Sequence, residues 1–168
     1  MNNLDKKNRV LLLQTKLLEI INQQEKQDFQ RDRALDRDET LDWERLHMAS
    51  SARMAWILAL EMNVDPELPA CAATVHDFGR ILTGKQMNHA EAGFEPVKKF
   101  LKGTNLFVDE EIEVISLAVK NHSKKTEVGT YIEEIVKDAD VIDCYQYGIP
   151  FDREEKRIRY QNWLNRAK

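Results

Sequence analysis

Histidines and aspartates are the residues of this sequence whose types and spacing could bind a metal ion. The chain has four histidines, and three closely spaced aspartates lie in one predicted helix after the last of them: His47, His76, His89, His122, Asp138, Asp140 and Asp143. Each histidine lies at or near the end of an apolar helical pattern, and Asp77 follows His76 directly. Imidazole and carboxylate groups are ligands that first-row transition metals favour. We therefore expect five or six of these residues to form one site for two metal ions.

The pair His76-Asp77 is the centre of this prediction. It follows an apolar stretch of small residues, 70–75, and precedes Gly79 and Arg80. Adjacent side chains on a helix diverge by about 100°, which is close to the angle between two ligands of one metal ion. A carboxylate buried there needs a cation or a dense set of hydrogen bonds. A single histidine on an apolar face is more often a hydrogen-bonded core residue, so the prediction depends on the whole pattern.

The elements that must position these residues are all predicted to be helical. Apolar residues recur at spacings of three and four, and the chain has 6 glycines and 4 prolines, which predicts an all-α fold. Helices are expected at about 4–27, 40–62 (capped by Asp38 or Thr40), 66–77, 89–103, 109–122, 131–147 and 152–163. The charged stretch 25–42 is interpreted as a solvated linker or a frayed helix end, and 81–84 as a loop. Pro96 is expected to kink or split its helix, and Gly103 to close it.

Three segments are predicted from these patterns. Residues 1–38 form an N-terminal helical extension with a charged linker, and residues 39–150 form a single helical domain that carries the metal ligands. Residues 151–168 form a polar C-terminal helix that packs on, or trails, the same domain. A length of 168 residues suits one domain with a substantial core.

The order of the candidate ligands resembles the signature of the HD-domain superfamily of metal-dependent phosphohydrolases, over roughly residues 40–147. The motif His-Asp-Phe-Gly-Arg at 76–80 is similar to that family's His-Asp-x-Gly-Lys turn, and residues 137–143 are similar to its Ala-Asp helix. The resemblance implies an HD-type helical bundle. Two features depart from the family pattern, namely Pro96 within a normally continuous helix and the first 38 residues, which have no counterpart.

The resemblance also implies roles for the ligands. His47, His76, Asp77 and Asp140 would hold one metal ion. His89 and His122 match the two further histidines of the binuclear branch, in which Asp77 would bridge both ions. The mixed ligand set favours Fe, Mn, Zn, Ni or Co over Mg or Ca.

The residues around these ligands have open alternatives. Periodicity does not choose between Asp138 and Asp140, and the resemblance selects Asp140, which leaves Asp138 as a solvated or helix-capping charge. Asp143 either supports a ligand from behind or ends the core face. Arg80 stands where the family usually has lysine and either stabilises substrate charge or neutralises the surroundings of Asp77. Lys124 and Lys125, beside His122, either contact an anionic substrate or belong to a solvated loop.

The implied function is hydrolysis of a phosphate ester of a nucleotide or related small metabolite. Two metal ions can lower the pKa of a shared water, whose hydroxide attacks phosphorus, and Asp77 and Arg80 would be the catalytic residues. A di-iron oxygenase of the same fold is a second hypothesis. A sensor or binding module that holds metal without turnover is a third.

The composition of the sequence limits the classes of binding partner that we expect. A net charge of −4 argues against a nucleic-acid polymer or an anionic membrane, and no apolar run approaches the length that spans a bilayer. Cys71 and Cys144 lack paired spacing, which indicates two buried, reduced thiols and a cytoplasmic location. The amphipathic first helix could form a homodimer, while the expected substrate is a small phosphorylated molecule.

Overall fold

The computed structural model describes the backbone of residues 3–31 and 36–166, and the side chains of 9–31 and 36–166. Within these residues the chain forms eight helices and no strand, so the predicted all-α fold is confirmed. The helices are α1 (Asn3–Gln30), α2 (Leu41–Glu61), α3 (Glu67–Val75), α4 (Phe78–Thr83), α5 (His89–Thr104), α6 (Asp109–Asn121), α7 (Tyr131–Gln146) and α8 (Glu154–Arg166).

The core lies where α2, α3 and α7 pack together. α5 packs against α4 and α6, α6 also contacts α3 and α7, and α8 lies on α7. Small residues of α3, Ala72 and Ala73, are fully buried and let the neighbouring helices approach this central element closely. Thr40 caps α2 by accepting a hydrogen bond from the Trp43 N–H at 3.1 Å, as one of the two predicted caps.

Helix α1 covers one side of this core. Its residues Leu13, Leu17 and Ile21 are fully buried, and the helix contacts α2, α3 and α4. These three residues, which belong to the segment predicted as an N-terminal extension, therefore contribute to the same core. The buried face is the one that carries the helical pattern in the sequence, so it is occupied within the chain.

The stretch 25–42 differs from the predicted solvated linker. Helix α1 continues to Gln30, and Asp28 and Arg37 form a buried ion pair with 2.7 Å between Oδ2 and Nη1. Arg37 Nη2 also donates to the carbonyls of Arg80 and Ile81 at 2.9 and 2.6 Å. Residues 32–35 of this stretch lie outside the described part. The prediction was wrong at Asp28 and Arg37 because the two charges neutralise each other, which allows both side chains to be buried.

Two local predictions about the middle of the chain were also wrong, and a third was wrong in part. Residues 81–83 belong to α4 and not to a loop, and Gly84 ends that helix with a φ of 73°. Pro96 does not split α5, which runs unbroken, while the alternative that it kinks the helix stays a prediction. Exposure of Ala92 lets water satisfy the carbonyl that proline leaves without a donor. The left-handed residue after α5 is Asn105, with a φ of 55°, one position beyond the helix end at Thr104.

Candidate metal centre

A break between two helices places the two central side chains. Helix α3 ends at Val75 and α4 begins at Phe78, so His76 and Asp77 occupy a two-residue joint. Asp77 has φ −94° and ψ 18°, outside the helical range, and this turns its carboxylate away from the line of α3. The remaining ligands come from other elements: His47 from α2, His89 at the start of α5, His122 at the end of α6 and Asp140 from α7.

The approach of α4 to α5 depends on two glycines. A Cβ atom on Gly79 would lie 2.0 Å from the carbonyl oxygen of His89 and 2.6 Å from the nitrogen of Gly93. Only a residue without a side chain fits at this crossing. The crossing brings the first residue of α5, His89, next to Asp77.

One group of ligand atoms gathers around His47 and His76. The two Nε2 atoms are 3.1 Å apart, and Asp140 Oδ1 lies 3.2 Å from His47 Nε2 and 3.6 Å from His76 Nε2. Asp77 Oδ2 completes the group at 3.4 Å from His47 Nε2 and 3.1 Å from His76 Nε2. These are four of the residues predicted to share one metal ion.

A second group gathers on the other oxygen of Asp77. The Nε2 atoms of His89 and His122 are 2.9 Å apart, and they lie 3.1 and 3.4 Å from Asp77 Oδ1. The two oxygens of one carboxylate thus face two different groups of imidazoles. This is the arrangement expected of a carboxylate that bridges two cations.

The spacing of these atoms suits metal ligands. Metal–nitrogen bonds of about 2.0–2.1 Å, set about 90–109° apart, place neighbouring ligand atoms about 2.8–3.4 Å from each other. The sets His47, His76, Asp140 and His76, Asp77, His122 both meet a geometric criterion for holding an ion. Structure and sequence therefore agree on which six side chains converge.

The outer nitrogen of every ring is already used. Nδ1 of His76, His89 and His122 donates to the backbone carbonyls of Ala73, Gln86 and Val119 at 2.7, 2.6 and 2.7 Å, and Nδ1 of His47 donates to Asp143 Oδ2 at 2.7 Å. Because carbonyl and carboxylate oxygens only accept, Nδ1 carries the proton in each ring. The Nε2 atoms, which are the remaining positions for a metal, then face one another in a buried space. The residues present therefore fit a metal.

The carboxylate of Asp143 lies behind His47. It accepts hydrogen bonds from His47 Nδ1 and from Ser50 Oγ, the latter at 2.8 Å, and is itself buried. The indole of Trp43 stacks on the other side of the His47 ring, with 4.8 Å between centroids and 15° between planes. His47 is therefore held by both a carboxylate and a stacked ring. The sequence offered Asp143 as a residue that supports a ligand from behind, whereas it gave no such signal for Trp43.

Arg80 is buried and fully engaged, so it does not form a free anion site. It donates to Asp77 Oδ2, to Glu44 Oε1 at 2.6 Å and to Gln86 Oε1 at 2.8 Å. Glu44 is also buried and lies one turn before His47 on α2. Sequence reasoning missed Glu44, although an acidic residue three positions before a candidate ligand, on the same helical face, was a usable signal.

The side chain of Lys125 is buried, whereas one of its two interpretations from the sequence placed it in a solvated loop. Its Nζ donates to Asp140 Oδ2 at 2.6 Å and to the Lys137 carbonyl at 3.2 Å, and the side chain is buried. Burial alone would raise the pKa of Asp140, but Lys125 and His47 hold it well below its usual range. Lys124, by contrast, is exposed, and its role toward substrate stays a prediction.

Asp138 is neither solvated nor a helix cap, contrary to the prediction. It is buried and accepts hydrogen bonds from Arg159 at 2.8 Å and from Arg166 at 3.0 Å. The two arginines come from α8 and supply the charge that burial of this carboxylate requires. Asp138 thus fastens α8 to α7 and takes no part in the ligand cluster.

The surroundings of His76 and His122 shift the pKa values of these two rings in opposite directions. Burial favours the neutral ring of His76, but Asp77 and Asp140 outweigh it and raise its pKa to about 10. Burial lowers the pKa of His122 to about 4, with the contact to Asp77 too weak to compensate. Burial would also raise the pKa of Asp77, yet Arg80 and His76 hold it well below its usual range. The His76 ring therefore holds a proton more firmly than the His122 ring does.

The helical bundle with this two-part cluster of histidines and aspartates defines a class of metal-binding domain. The HD domain family model matches residues 46–147, and the chain belongs to this family, which is one of metal-dependent phosphohydrolases. The matched stretch contains all six candidate ligands. The family predicted from the motifs is thereby confirmed.

Three curated relatives are each named ribonuclease Y. The protein of Chlorobium luteolum is 31% identical over 102 residues, that of Acidothermus cellulolyticus 27% over 121 and that of Enterococcus faecalis 27% over 114. The alignments cover 61%, 71% and 67% of this chain but 18%, 22% and 20% of the relatives. The chain therefore spans about a fifth of the length of these relatives. No solved structure matches it significantly.

Two further predictions concern the membrane and the thiols. None of the helices in the described residues is both long enough and apolar enough to cross a bilayer. Cys71 and Cys144 are both free, as predicted, but only Cys71 is fully buried. Burial raises the pKa of both thiols, which keeps them protonated and unreactive.

Proposed function

We propose that the chain is a two-metal phosphohydrolase that removes a terminal phosphate from a small molecule such as a nucleotide. The observation that supports this most strongly is the division of Asp77, whose Oδ1 faces His89 and His122 while Oδ2 faces His47 and His76. A carboxylate so shared is suited to hold two cations at the short separation that phosphate chemistry uses, about 3.5–4 Å.

His47, His76, Asp77 and Asp140 would hold one ion, and His89, His122 and Asp77 the other. When bound, the ions supply Lewis acidity toward phosphoryl oxygens and lower the pKa of water. The protein groups fix the geometry: Asp143 and the three backbone carbonyls orient the rings, and the helices exclude bulk water from them. Such fixed groups stabilise developing charge without reorganising during the reaction.

Arg80 has a supporting role in this proposal. Its donors are committed to Asp77, Glu44 and Gln86, so it neutralises the bridging carboxylate and holds it in place. Contact between Arg80 and a substrate phosphate would require one of these bonds to break. Of the two interpretations of Arg80 from the sequence, we therefore adopt the one in which the guanidinium neutralises the charge of Asp77.

The limited exposure of the ligands supports a small substrate. The side chain of Asp140, at 16% exposed, is more accessible than those of His47, His76 or Asp77, which are at most 7% exposed. A terminal phosphate can enter a narrow opening more easily than an internal bond of a folded polymer can. The net charge of −4 also offers little attraction to a polyanion.

RNA is the second candidate substrate, because the relatives described above are named ribonuclease Y. Those proteins are about five times longer than the matched stretch, so their regions outside that stretch could contribute their contacts to RNA. A single-stranded oligoribonucleotide therefore belongs in any substrate panel. Cleavage of the oligonucleotide in preference to nucleoside phosphates would replace the small-molecule proposal.

The test combines metal analysis with that panel. The wild type should carry two metal ions per chain and hydrolyse at least one phosphate ester, whereas Asp77→Ala should lose both properties. Asp109→Ala, which removes an exposed carboxylate far from the cluster, is the matched control and should keep both. Full metal stoichiometry in Asp77→Ala would refute the bridging role. A wild type that holds two ions but turns over no phosphate would favour the sensor hypothesis, and oxygen uptake would favour the oxygenase.

A further inference from the structure

A buried lysine provides a positive charge at the edge of the candidate metal centre. Lys125 Nζ lies 2.6 Å from Asp140 Oδ2, while the other oxygen, Oδ1, faces His47 and His76. The ammonium therefore contacts the outer side of a carboxylate whose inner side belongs to the ligand cluster. No family motif identified in the sequence includes this residue.

The other buried cation near the cluster is balanced differently. Arg80 has a second carboxylate, Glu44, at 2.6 Å, so the two form a neutral pair beside Asp77. For Lys125, the described partners are Asp140 and one backbone carbonyl. Its positive charge is thus offset by Asp140 alone, and a metal ion at Asp140 would compete with it for the same carboxylate.

Helix α8 holds this lysine in position through Arg159. Arg159 Nε donates to the Lys125 carbonyl at 2.7 Å, and its two other nitrogens donate to Asp138 at 2.8 Å and to Glu134 at 2.9 Å. Both carboxylates lie on α7, the helix that also carries Asp140. Arg159 therefore fixes the backbone of Lys125 relative to the helix that supplies the ligand.

We propose that Lys125 is an internal counter-ion of the metal centre, which stabilises the metal-free chain and restrains metal affinity at the His47, His76 and Asp140 group. The inference rests on the metal centre of the proposed function. Two effects of the lysine oppose each other, because its hydrogen bond orients Asp140 whereas its charge repels a divalent ion. The repulsion should dominate, since both charges are buried and the hydrogen bond fixes only one torsion of a side chain already packed on α7.

The first experiment removes the charge. Lys125→Met should bind zinc at least tenfold more tightly than the wild type in a competition titration with a chromogenic chelator at pH 7.5. After stripping with a chelator, the same variant should melt several degrees below the wild type, because Asp140 loses its partner. Lys102→Met, which removes an exposed lysine on α5, is the control and should change neither quantity. Equal or weaker zinc affinity in Lys125→Met would overturn the proposal.

A second variant tests the same idea without touching the site. Arg159→Gln releases the backbone of Lys125 and should raise zinc affinity at least threefold, in the same direction as Lys125→Met. Arg157→Gln, on the same helix and paired only with Glu154 among the described residues, should leave affinity unchanged. If Lys125→Met does not fold, an unchanged affinity in Arg159→Gln overturns the proposal. Absence of zinc binding by the wild type would instead refute the metal centre itself.

Discussion

Replacing Gly79 by alanine should separate the two helices that bring the ligand groups together. The added Cβ would lie 2.0 Å from the His89 carbonyl oxygen, 2.6 Å from the Gly93 nitrogen and 3.0 Å from its Cα. All three are backbone atoms, so no side-chain rotation relieves the contact. Helix α5 must move away from α4 by more than about 1 Å to restore ordinary van der Waals distances.

The expected cost follows from this displacement. Overpacking of a tightly packed core costs about 1–3 kcal/mol, and the backbone clash in Gly79→Ala places it at or above the upper end. A loss of about 3 kcal/mol in a protein of this size corresponds to a fall in melting temperature of roughly 6–12 °C. Because the clash is with His89 itself, its Nε2 should also leave the 3.1 Å contact with Asp77 Oδ1.

Gly103 provides a control on the same helix α5. A Cβ there would meet nothing within 4 Å, so Gly103→Ala should stabilise the protein by about 0.5–1 kcal/mol through the helical preference of alanine. Urea unfolding measures both free energies, and metal analysis should show the content of Gly79→Ala falling from two ions toward one. A Gly79→Ala protein as stable as the wild type, with two ions, would refute the role of the α4–α5 crossing.

Three further outcomes are expected. Zinc addition at pH 7.5 should release about one proton from His76, because a pKa of about 10 means that the ring is charged before its Nε2 becomes a ligand. Calorimetry in buffers of different ionisation enthalpy measures the number of protons released, and zero release would contradict the prediction. Asp143→Asn should weaken zinc binding roughly 10–100-fold in a chelator competition by loosening His47, and unchanged affinity would deny that role. Asp28→Asn should cost about 2–3 kcal/mol in urea unfolding because buried Arg37 loses its counter-charge, and a neutral effect would show that water reaches the pair.

The all-α fold and the ligand cluster were accessible from sequence because both depend on short-range patterns. Helical periodicity located α2, α6 and α7, and the adjacency of His76 and Asp77 within a small-residue stretch marked the centre. Which aspartate of α7 belongs to the cluster was not accessible in this way. Asp138 and Asp140 flank the same stripe, and only the arginines of α8 explain why the first points elsewhere.

The pairing of buried charged residues with one another could not be found from sequence. Nine positions separate Arg37 from Asp28, and 36 separate Arg80 from Glu44. Each of these residues, taken alone, is of a type that usually lies on the solvated surface. Lys125 is a similar case, because its partner Asp140 is 15 positions away on another element. The fate of such charges depends on tertiary contacts, which periodicity does not encode.

Helix α1 sets a limit on exchanging parts between this chain and its relatives. The stretch shared with the HD family begins at residue 46, yet Leu13, Leu17 and Ile21 fill the surface of that stretch from outside it. A chimera that joins residues 46–147 to flanking segments of another protein would lack the three side chains that cover this apolar surface. The new flanks would have to bring apolar side chains at the same spacing, so a workable junction lies before α1.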